Sequence, residues 1–249
     1  MKQETRKIVE AFWPISLMDM DQVSLMKRSD IKFILPKKQV LEILNSVLND
    51  YRVLEVNEDR VMTYNSLYYD TPDNDFYQWH HNGKINRIKV RIRNYIESKI
   101  HFLEIKRKDG KGITHKSRIP IDGFEENLSK KSKDFIQEIT HRSYVLSPKL
   151  ENEFNRITLV STLHKERATI DFNLNFRNEF KNKAFDNLAI IEIKQEGINR
   201  NSPIYRELKK RHILPNNISK YCLGIISLYE DVKYNSFKIK LLQIQKISA

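Results

Sequence analysis

The 249-residue chain has one cysteine, six glycines and no long apolar run. Because Cys222 is alone, no disulfide can form within the chain, and a zinc site built on several thiolates is implausible. No segment approaches the roughly 20 apolar residues that span a bilayer, and residues 1–13 lack the apolar core of a signal peptide. No glycine-, serine- or proline-rich stretch divides the chain. We therefore expect a single cytoplasmic domain over 1–249 with its core at about 24–231, terminal extensions of unassigned role and no transmembrane segment.

The charge of the chain is unbalanced, with 44 lysines and arginines against 32 acids and a formal net charge of +12. An excess of this size favours a negatively charged partner, such as nucleic acid, an anionic membrane or a phosphate compound, without choosing between them. The hydrophobic fraction of 40% argues against disorder and for a packed core.

Hydrophobic periodicity predicts a chain made mainly of strands. Strand-like alternation covers residues 60–69, 85–97, 101–108, 113–121, 150–163, 167–176 and 188–195, and helical spacing covers 37–51, 125–144, 202–212 and 219–229. The strands between 60 and 121 follow one another without long crossovers, which predicts antiparallel neighbours.

Cations and aliphatic residues alternate in the strand at 87–93, so one of its faces is wholly cationic and the other wholly aliphatic. The same alternation recurs on at least five other strands. The residues that share the charged faces are Arg28, Asp30 and Lys32; Arg87, Lys89, Arg91 and Arg93; Glu104, Lys106 and Lys108; Lys116 and Arg118; Arg167, Thr169 and Asp171; and Glu192 and Lys194.

A charged face is ordinary on an antiparallel sheet that meets solvent, and this is the simplest alternative for any one strand. The recurrence of arginine and lysine on so many strands favours a second arrangement. If the sheet closes into a barrel with its apolar face outward under helices, the cations converge inside. Such an interior is costly unless it is wet and filled by an anion, so the pattern predicts a polyanion site.

Two acids on the charged faces, Glu104 and Glu192, are candidates to hold Mg²⁺ or Mn²⁺, because these hard cations accept one or two carboxylates together with phosphate oxygens. The alternative for each acid is an internal salt bridge, to Lys106 or to Lys194.

Eight segments, taken in order, resemble the catalytic domain of the VTC-type polyphosphate polymerases, within the triphosphate tunnel metalloenzyme (CYTH-like) superfamily. The segments are RSDIKF at 28–33, YYDTP at 68–72, KVRIR at 89–93, FLEIK at 102–106, KSR at 116–118, RATID at 167–171, IEIK at 191–194 and SKY at 219–221. No single segment is specific, whereas their number and order are.

The resemblance implies an α+β fold with a closed eight-stranded antiparallel β tunnel and helices packed outside. It implies transfer of the γ-phosphoryl group of ATP, or of another triphosphate, to a polyphosphate chain, with Mn²⁺ or Mg²⁺ as cofactor. The implied phosphate ligands are Lys32, Arg91, Arg93, Lys106, Lys116, Arg156, Arg167 and Lys220. Glu192 is the implied metal ligand, with Glu104 as a second candidate. The further cations expected to bind substrate are Arg28, Arg87, Lys89, Lys108, Arg118 and Lys194.

Three other functions remain as alternatives. Simple tunnel triphosphatases begin with a strand of alternating glutamates, and Arg28 and Asp30 stand there instead, which favours polymerisation over hydrolysis. A non-catalytic sensor of polyphosphate or nucleotide would use the same cations. RNA binding fits poorly, because single-stranded RNA is usually recognised by aromatic residues between the cations. On the charged face of the strand at 87–93, the only aromatic residue is Tyr95, at its end, so no nucleic acid partner is expected.

Overall fold

The computed structural model of the protein describes residues 2–22 and 29–248. The helices in chain order are α1 (Lys2–Glu10), α2 (Leu17–Gln22), α3 (Lys38–Ser46), α4 (Asp75–His81), α5 (Lys130–Thr140), α6 (Pro203–Lys210), α7 (Lys220–Leu228) and α8 (Lys238–Ser248), with a 3₁₀ turn at Asn235–Phe237. The strands are β1 (Trp13–Ile15), β2 (Ser29–Pro36), β3 (Tyr51–Leu54), β4 (Met62–Asp70), β5 (Arg87–Tyr95), β6 (Ile100–Lys108), β7 (Thr114–Ile121), β8 (Ser147–Ser161), β9 (Glu166–Arg177), β10 (Asn182–Phe185) and β11 (Leu188–Gln195). None of the described helices is both long and apolar enough to cross a bilayer.

All the strands belong to one sheet, whose main path runs β2-β11-β9-β8-β4-β5-β6-β7. Every neighbouring pair on this path is antiparallel. The predicted eight antiparallel strands are therefore present. Closure is not confirmed, because β2 and β7 end the path and no ladder joins them among the described residues. The other three strands lie off this path. Strand β3 pairs with β8 and β10 pairs with β9, both antiparallel, whereas β1 pairs with β3 in parallel.

The sheet is nevertheless strongly curved. Strands β6 and β11 lie five strands apart along the path, which would separate them by about 24 Å in a flat sheet at ~4.8 Å per strand. Yet the charge of Glu192 on β11 raises the pKa of Lys106 on β6, against a larger lowering by burial and by Arg91. Charges that far apart would scarcely interact. Hydrogen bonds agree with this curvature, because Lys89 on β5 donates to Ser219 and the adjacent Lys220 donates to Asp171 on β9. The two halves of the sheet therefore curl towards each other and enclose a concave inner face.

Strand register confirms which residues share this inner face. Lys89 lies opposite Lys106, and Lys106 lies opposite Lys116 on the next strand. On the other half of the sheet, Lys32 lies opposite Glu192. Because directly opposed residues of antiparallel strands point to the same side, the alternation read from the sequence marks one continuous charged surface.

The outer face of the sheet is apolar and carries helices, as predicted. Phe33, Ile170 and Ile191 are buried together with Ile43 and Leu44 of α3, in a cluster that also includes residues of α1 and α6. A second cluster covers the outer face of the other half of the sheet. It joins Val90, Ile92 and Ile105 to Phe76 of α4 and Ile136 of α5. Burying both sets of aliphatic side chains leaves the charged side chains facing inward.

Not every helix lies outside, and the prediction was wrong on this point. Helix α7 packs against an apolar part of the inner face, where its Tyr221 and Ile225 share a cluster with Phe154 and Ile190. Gly224 permits the close approach, since a Cβ atom there would lie 2.7 Å from Phe176 and 2.9 Å from Leu150. The inner face is thus divided into an apolar part under α7 and a charged part beside the first turn of that helix.

Candidate functional site

Three acids on the inner face each lie between two cations, and the first of them is Glu104 on β6. Arg91 Nη2 lies 2.6 Å from Glu104 Oε2, and Lys116 Nζ lies 2.5 Å from Oε1. The carboxylate is fully buried. Burial alone would raise its pKa, but Arg91, Arg93 and Lys116 hold the pKa well below the ordinary glutamate range. Glu104 is therefore charged and fixed.

The second acid is Asp171 on β9. It accepts two hydrogen bonds from Arg156, at 2.5 Å from Nε and 2.7 Å from Nη2, and a third from Lys220 Nζ. Burial would raise the pKa of Asp171, but Arg156 and Lys220 lower it below its usual value. Helix α7 thus contributes Lys220, and its N-cap Ser219 accepts a hydrogen bond of 2.9 Å from Lys89 Nζ on β5. The first turn of α7 connects β5 to β9 across the concave face.

The third acid is Glu192 on β11. Lys32 Nζ lies 3.0 Å from its Oε1 and Lys194 Nζ lies 3.1 Å from its Oε2. Burial would raise the pKa of Glu192, but Lys194 and Lys32, with Lys106 next, hold it well below the ordinary range. The side chain of Glu192 is 16% exposed, whereas that of Glu104 is 0% exposed. Of these two acids, only Glu192 can be reached by solvent or a ligand.

Arg93 is a buried cation that forms no ion pair with any acid the structure describes. The residue is 6% exposed, and its Nε donates to Ser66 Oγ at 3.1 Å. Its guanidinium lies 5.2 Å from the ring centroid of Tyr64 and 5.8 Å from that of Phe154. Burial, followed by the charge of Arg91, lowers the pKa of Arg93. A buried charge without an ion-pair partner is costly, and a bound anion would stabilise it.

Lys106 also has no acid partner within the described part of the chain, but it differs from Arg93 in its access to water. Burial among protein atoms, and then the charge of Arg91, lowers the pKa of Lys106 well below the usual lysine value. The residue is nevertheless exposed to solvent. Both observations hold together if the side chain lines a water-filled concavity that protein surrounds on most sides.

The remaining predicted cations take more peripheral positions. Arg167 donates to the backbone carbonyl of Met20 at 3.0 Å, so it contacts α2. Arg118 lies 4.5 Å over the ring of Phe102. Arg87 at the start of β5 and Lys108 at the end of β6 lie opposite each other in the strand register. Arg28 lies outside the described residues, so its predicted role is not tested.

Several residues of the site were not predicted as members of it. Asp171 was placed on the charged face of its strand but given no role, although it sits within the RATID segment. Tyr68 accepts a hydrogen bond of 3.0 Å from Arg91 Nη1, and Ser219 orients Lys89. The rings of Tyr64 and Phe154 lie beside Arg93. Nothing in the sequence distinguishes these two residues from ordinary core aromatics.

The two predicted metal ligands differ in how well they suit a divalent cation. Glu104 does not fit, because Arg91 and Lys116 occupy both of its oxygens inside the protein. Glu192 is partly exposed and its lysine partners are flexible, so it can offer one carboxylate to a cation whose other ligands come from phosphate and water. No group of three or more histidine, cysteine or acidic side chains able to hold a metal occurs within the described ranges.

We expect the binding of a phosphate chain at this site to be accompanied by uptake of a proton onto Lys116 near pH 8. Burial lowers the pKa of Lys116 to about 8, with Glu104 opposing the shift and Arg91 adding to it. A bound anion favours the charged lysine, so affinity should fall as the pH rises through this value. Calorimetric titration of tripolyphosphate in two buffers of different ionisation enthalpy measures the uptake. Lys116→Arg should reduce it, because arginine stays charged, whereas Lys133→Arg on the exposed face of α5 should not.

The stability of the ligand-free protein should change with pH in the opposite sense. Between about pH 8 and the ordinary lysine value, the unfolded chain keeps a proton on Lys116 that the folded protein has released. The free energy of unfolding therefore rises with pH over this interval.

Binding without proton uptake at pH 8, or uptake unchanged in Lys116→Arg, would contradict the assignment of Lys116 to the anion site.

A comparison with protein-family models identifies the family of the chain. A family model described as the VTC domain matches residues 27–229. The chain belongs to the VTC domain family. The match covers β2 to α7, and so includes all three acids with their described cation partners. The resemblance read from the eight sequence segments is thereby confirmed. No curated protein sequence matches this VTC domain.

Solved structures similar to this VTC domain come from several organisms. One is the adenylyl cyclase candidate HpAC1 from Hippeastrum, whose dominant activity is that of a triphosphatase; it is 16% identical, the match covers 83% of this chain and 98% of that one, and the TM-score is 0.48. An adenylate cyclase candidate from Bacillus halodurans is 12% identical, with 78% and 96% covered and a TM-score of 0.46. The PH1819 protein from Pyrococcus horikoshii is 13% identical, with 80% and 96% covered and a TM-score of 0.45.

Proposed function

We propose that the protein transfers the γ-phosphoryl group of ATP to a polyphosphate chain held on the inner face of the sheet. The observation that carries this proposal is the surplus of positive charge. After Glu104, Asp171 and Glu192 have each been paired twice, Arg93 and Lys106 still have no acid partner among the described residues. A polyanion with regularly spaced charges supplies what this surface lacks, and membership of the VTC domain family supports phosphoryl chemistry.

Phosphoryl transfer depends on position and charge neutralisation more than on covalent participation by the protein. The cations come from both halves of the curved sheet and from α7, so they can hold a chain of phosphates along the concave face and prevent it from bending. Arg91, Arg93 and Lys106 lie on β5 and β6, whereas Lys32 and Arg156 lie on β2 and β8. A triphosphate and an acceptor phosphate bound between these groups would be aligned for in-line transfer without any side-chain nucleophile.

Glu192, together with phosphate oxygens of the substrate, would hold the Mn²⁺ or Mg²⁺ ion. When bound, the ion neutralises charge that develops on the transferring phosphoryl group. Lys32 and Lys194 keep the carboxylate of Glu192 charged and placed beside the phosphate ligands until that occurs.

The test is to incubate the purified protein with ATP and Mn²⁺ and to measure polyphosphate and free phosphate separately. We expect polymer from the wild-type protein and a loss on the order of 100-fold or more in Glu192→Gln. Glu207→Gln is the matched control, because Glu207 on α6 also lies between two cations, Lys210 and Arg211, but on the outside of the protein. Glu192→Gln should still bind tripolyphosphate, since the substitution releases Lys32 and Lys194.

Two other outcomes would replace the proposal. Free phosphate without polymer would make the protein a triphosphatase. Tight binding of tripolyphosphate without any turnover would make it a sensor. Loss of activity in Glu207→Gln equal to that in Glu192→Gln would remove the special role of Glu192.

A further inference from the structure

A second cationic pocket lies on the outside of the protein, where β5 begins. It has a volume of about 320 Å³, room for roughly ten water molecules at ~30 Å³ each. Four cations line it, Lys84, Arg87, Arg107 and Arg142, together with the aromatic residues Trp79 and Tyr144. No acidic side chain is among the lining residues. We refer to these six residues as the outer pocket.

The cations of the outer pocket differ from those of the inner face in having no carboxylate between them. None of the four forms an ion pair with an acid within the part of the chain that the structure describes. On the inner face, six cations do: Lys32, Arg91, Lys116, Arg156, Lys194 and Lys220. Lys84 lies 5.1 Å over the ring of Trp79, which stabilises one charge without neutralising it. The cluster therefore carries a net positive charge that no described side chain cancels.

Arg107 supplies an independent sign of a missing ligand. Its Nε is buried and has no hydrogen-bond partner. Helices α4 and α5 both end beside the pocket, and the partial negative charge of helix C-termini explains why cations can gather there. That effect does not satisfy a buried N–H group. An anion oxygen in the pocket would do so, and arginine is the side chain best suited to bind phosphate through parallel N–H groups.

The outer pocket adjoins the inner face through Arg87. Arg87 lies opposite Lys108 at the end of the charged inner face, and the next pair of the register, Ile88 and Arg107, points to the other side of the sheet. Cations therefore continue around the end of β5 from one face to the other. A flexible anion long enough to lie on the inner face would meet the outer pocket as it leaves.

We propose that the outer pocket binds phosphoryl groups of a linear inorganic polyphosphate chain whose other end occupies the inner face. The choice of polyphosphate as the ligand rests on the proposed function, whereas the presence of an anion site does not. Such a site would hold the chain during repeated transfers and would favour long chains over short ones. ATP, which is too short to require it, should bind to the inner face independently of the outer pocket.

The experiment is to titrate long-chain inorganic polyphosphate and ATP, separately, into wild-type protein and the double variant Lys84→Gln/Arg142→Gln. Both residues are exposed, so the substitutions leave the core intact. We expect the affinity for long-chain polyphosphate to fall about tenfold or more and the affinity for ATP to stay unchanged. Arg52→Gln/Arg206→Gln removes the same number of charges from other exposed positions and should change neither. An ionic strength of about 0.15 M limits the contribution of distant charges.

Three outcomes overturn the proposal. Unchanged binding of polyphosphate excludes the outer pocket as a site. An equal loss in the Arg52/Arg206 control shows an effect of net charge only. A loss for ATP alone assigns the pocket to a nucleotide instead of a phosphate chain. If the double variant does not fold, Arg142→Gln alone answers the same question. Because binding is measured and not turnover, a protein that makes no polymer can still pass this test, and the two proposals fail separately.

Discussion

Replacement of Arg93 by methionine is expected to raise the melting temperature of the ligand-free protein and to weaken the binding of tripolyphosphate by about 10- to 100-fold. The residue is buried between Tyr64 and Phe154 and forms no ion pair with a described acid. An apolar side chain of similar length removes a buried charge that has no ion-pair partner among the described acids, which is favourable for folding, and also removes a donor that a bound phosphate would use. Thermal unfolding and calorimetric titration measure the two effects.

Arg91→Met is the matched comparison for this prediction. Arg91 lies on the same strand and the same face, but it is paired with buried Glu104. Its removal should cost about 3–5 kcal/mol of stability, because one partner of a buried ion pair is left behind. A loss of stability in Arg93→Met as large as that in Arg91→Met would show that Arg93 has a structural partner, and would count against its role as a ligand for phosphate.

Glu104→Gln is expected to destabilise the protein at neutral pH by about 3–5 kcal/mol. The substitution leaves Arg91 and Lys116 without their shared carboxylate inside the protein. Tripolyphosphate should then stabilise the variant more than it stabilises the wild-type protein, because phosphate oxygens can take the place of the lost charge. Urea unfolding with and without tripolyphosphate measures both quantities.

The pH dependence of this effect has a defined sign. The pKa of Glu104 is lower in the folded protein than in the unfolded chain, so its contribution is present above the ordinary glutamate value and is lost as the pH falls below it. The wild-type protein should therefore approach the stability of Glu104→Gln in acid. Glu151→Gln, which removes the surface pair with Arg177, should cost less than about 1 kcal/mol at any pH. An equal cost for the two substitutions would contradict the buried pairing.

The strands of the main path and the faces they present could be predicted because both depend on local alternation. Every strand predicted over 60–195 exists with nearly the same bounds, and the charged side chains do share one face. The elements α1, β1 and α8 near the termini were not predicted. Strand β1 has only three residues, and the apolar residues of α8 lie on all its sides, so neither carries a clear periodic pattern. Closure of the barrel depends on the sum of twists over many strands, and no residue pattern encodes it directly.

Helix α7 was predicted from the sequence, but its position on the inner face was not. Its segment reads as a helix with Ser219 as N-cap, and this is confirmed. Since the helix is apolar on nearly all sides, its sequence indicates burial but does not say which face of the sheet will cover it. The inner position depends on Gly224, whose missing side chain matters only once the neighbours Phe176 and Leu150 are known.

The residues that share the charged face were predicted more completely than their ion pairs. Lys32, Arg156 and Lys220 were each assigned to the phosphate ligands, but nothing in the sequence places the last two on one carboxylate, Asp171. That arrangement depends on strand register and on the approach of α7, both of which are set by distant parts of the chain. Alternation along a strand identifies a face, whereas partners across strands require the fold.

The position of the three acids sets a threshold for what the inner face will accept. An anion that enters must compete with carboxylates already in contact with the cations at Glu104, Asp171 and Glu192. Chloride or acetate offers a single charge, no more than the carboxylate it would displace, and so gains little. A chain of linked phosphates presents several charges at once, and the cost of separating it from solvent is shared along its length. We therefore expect the internal carboxylates to favour condensed phosphates over small monovalent anions at the inner face.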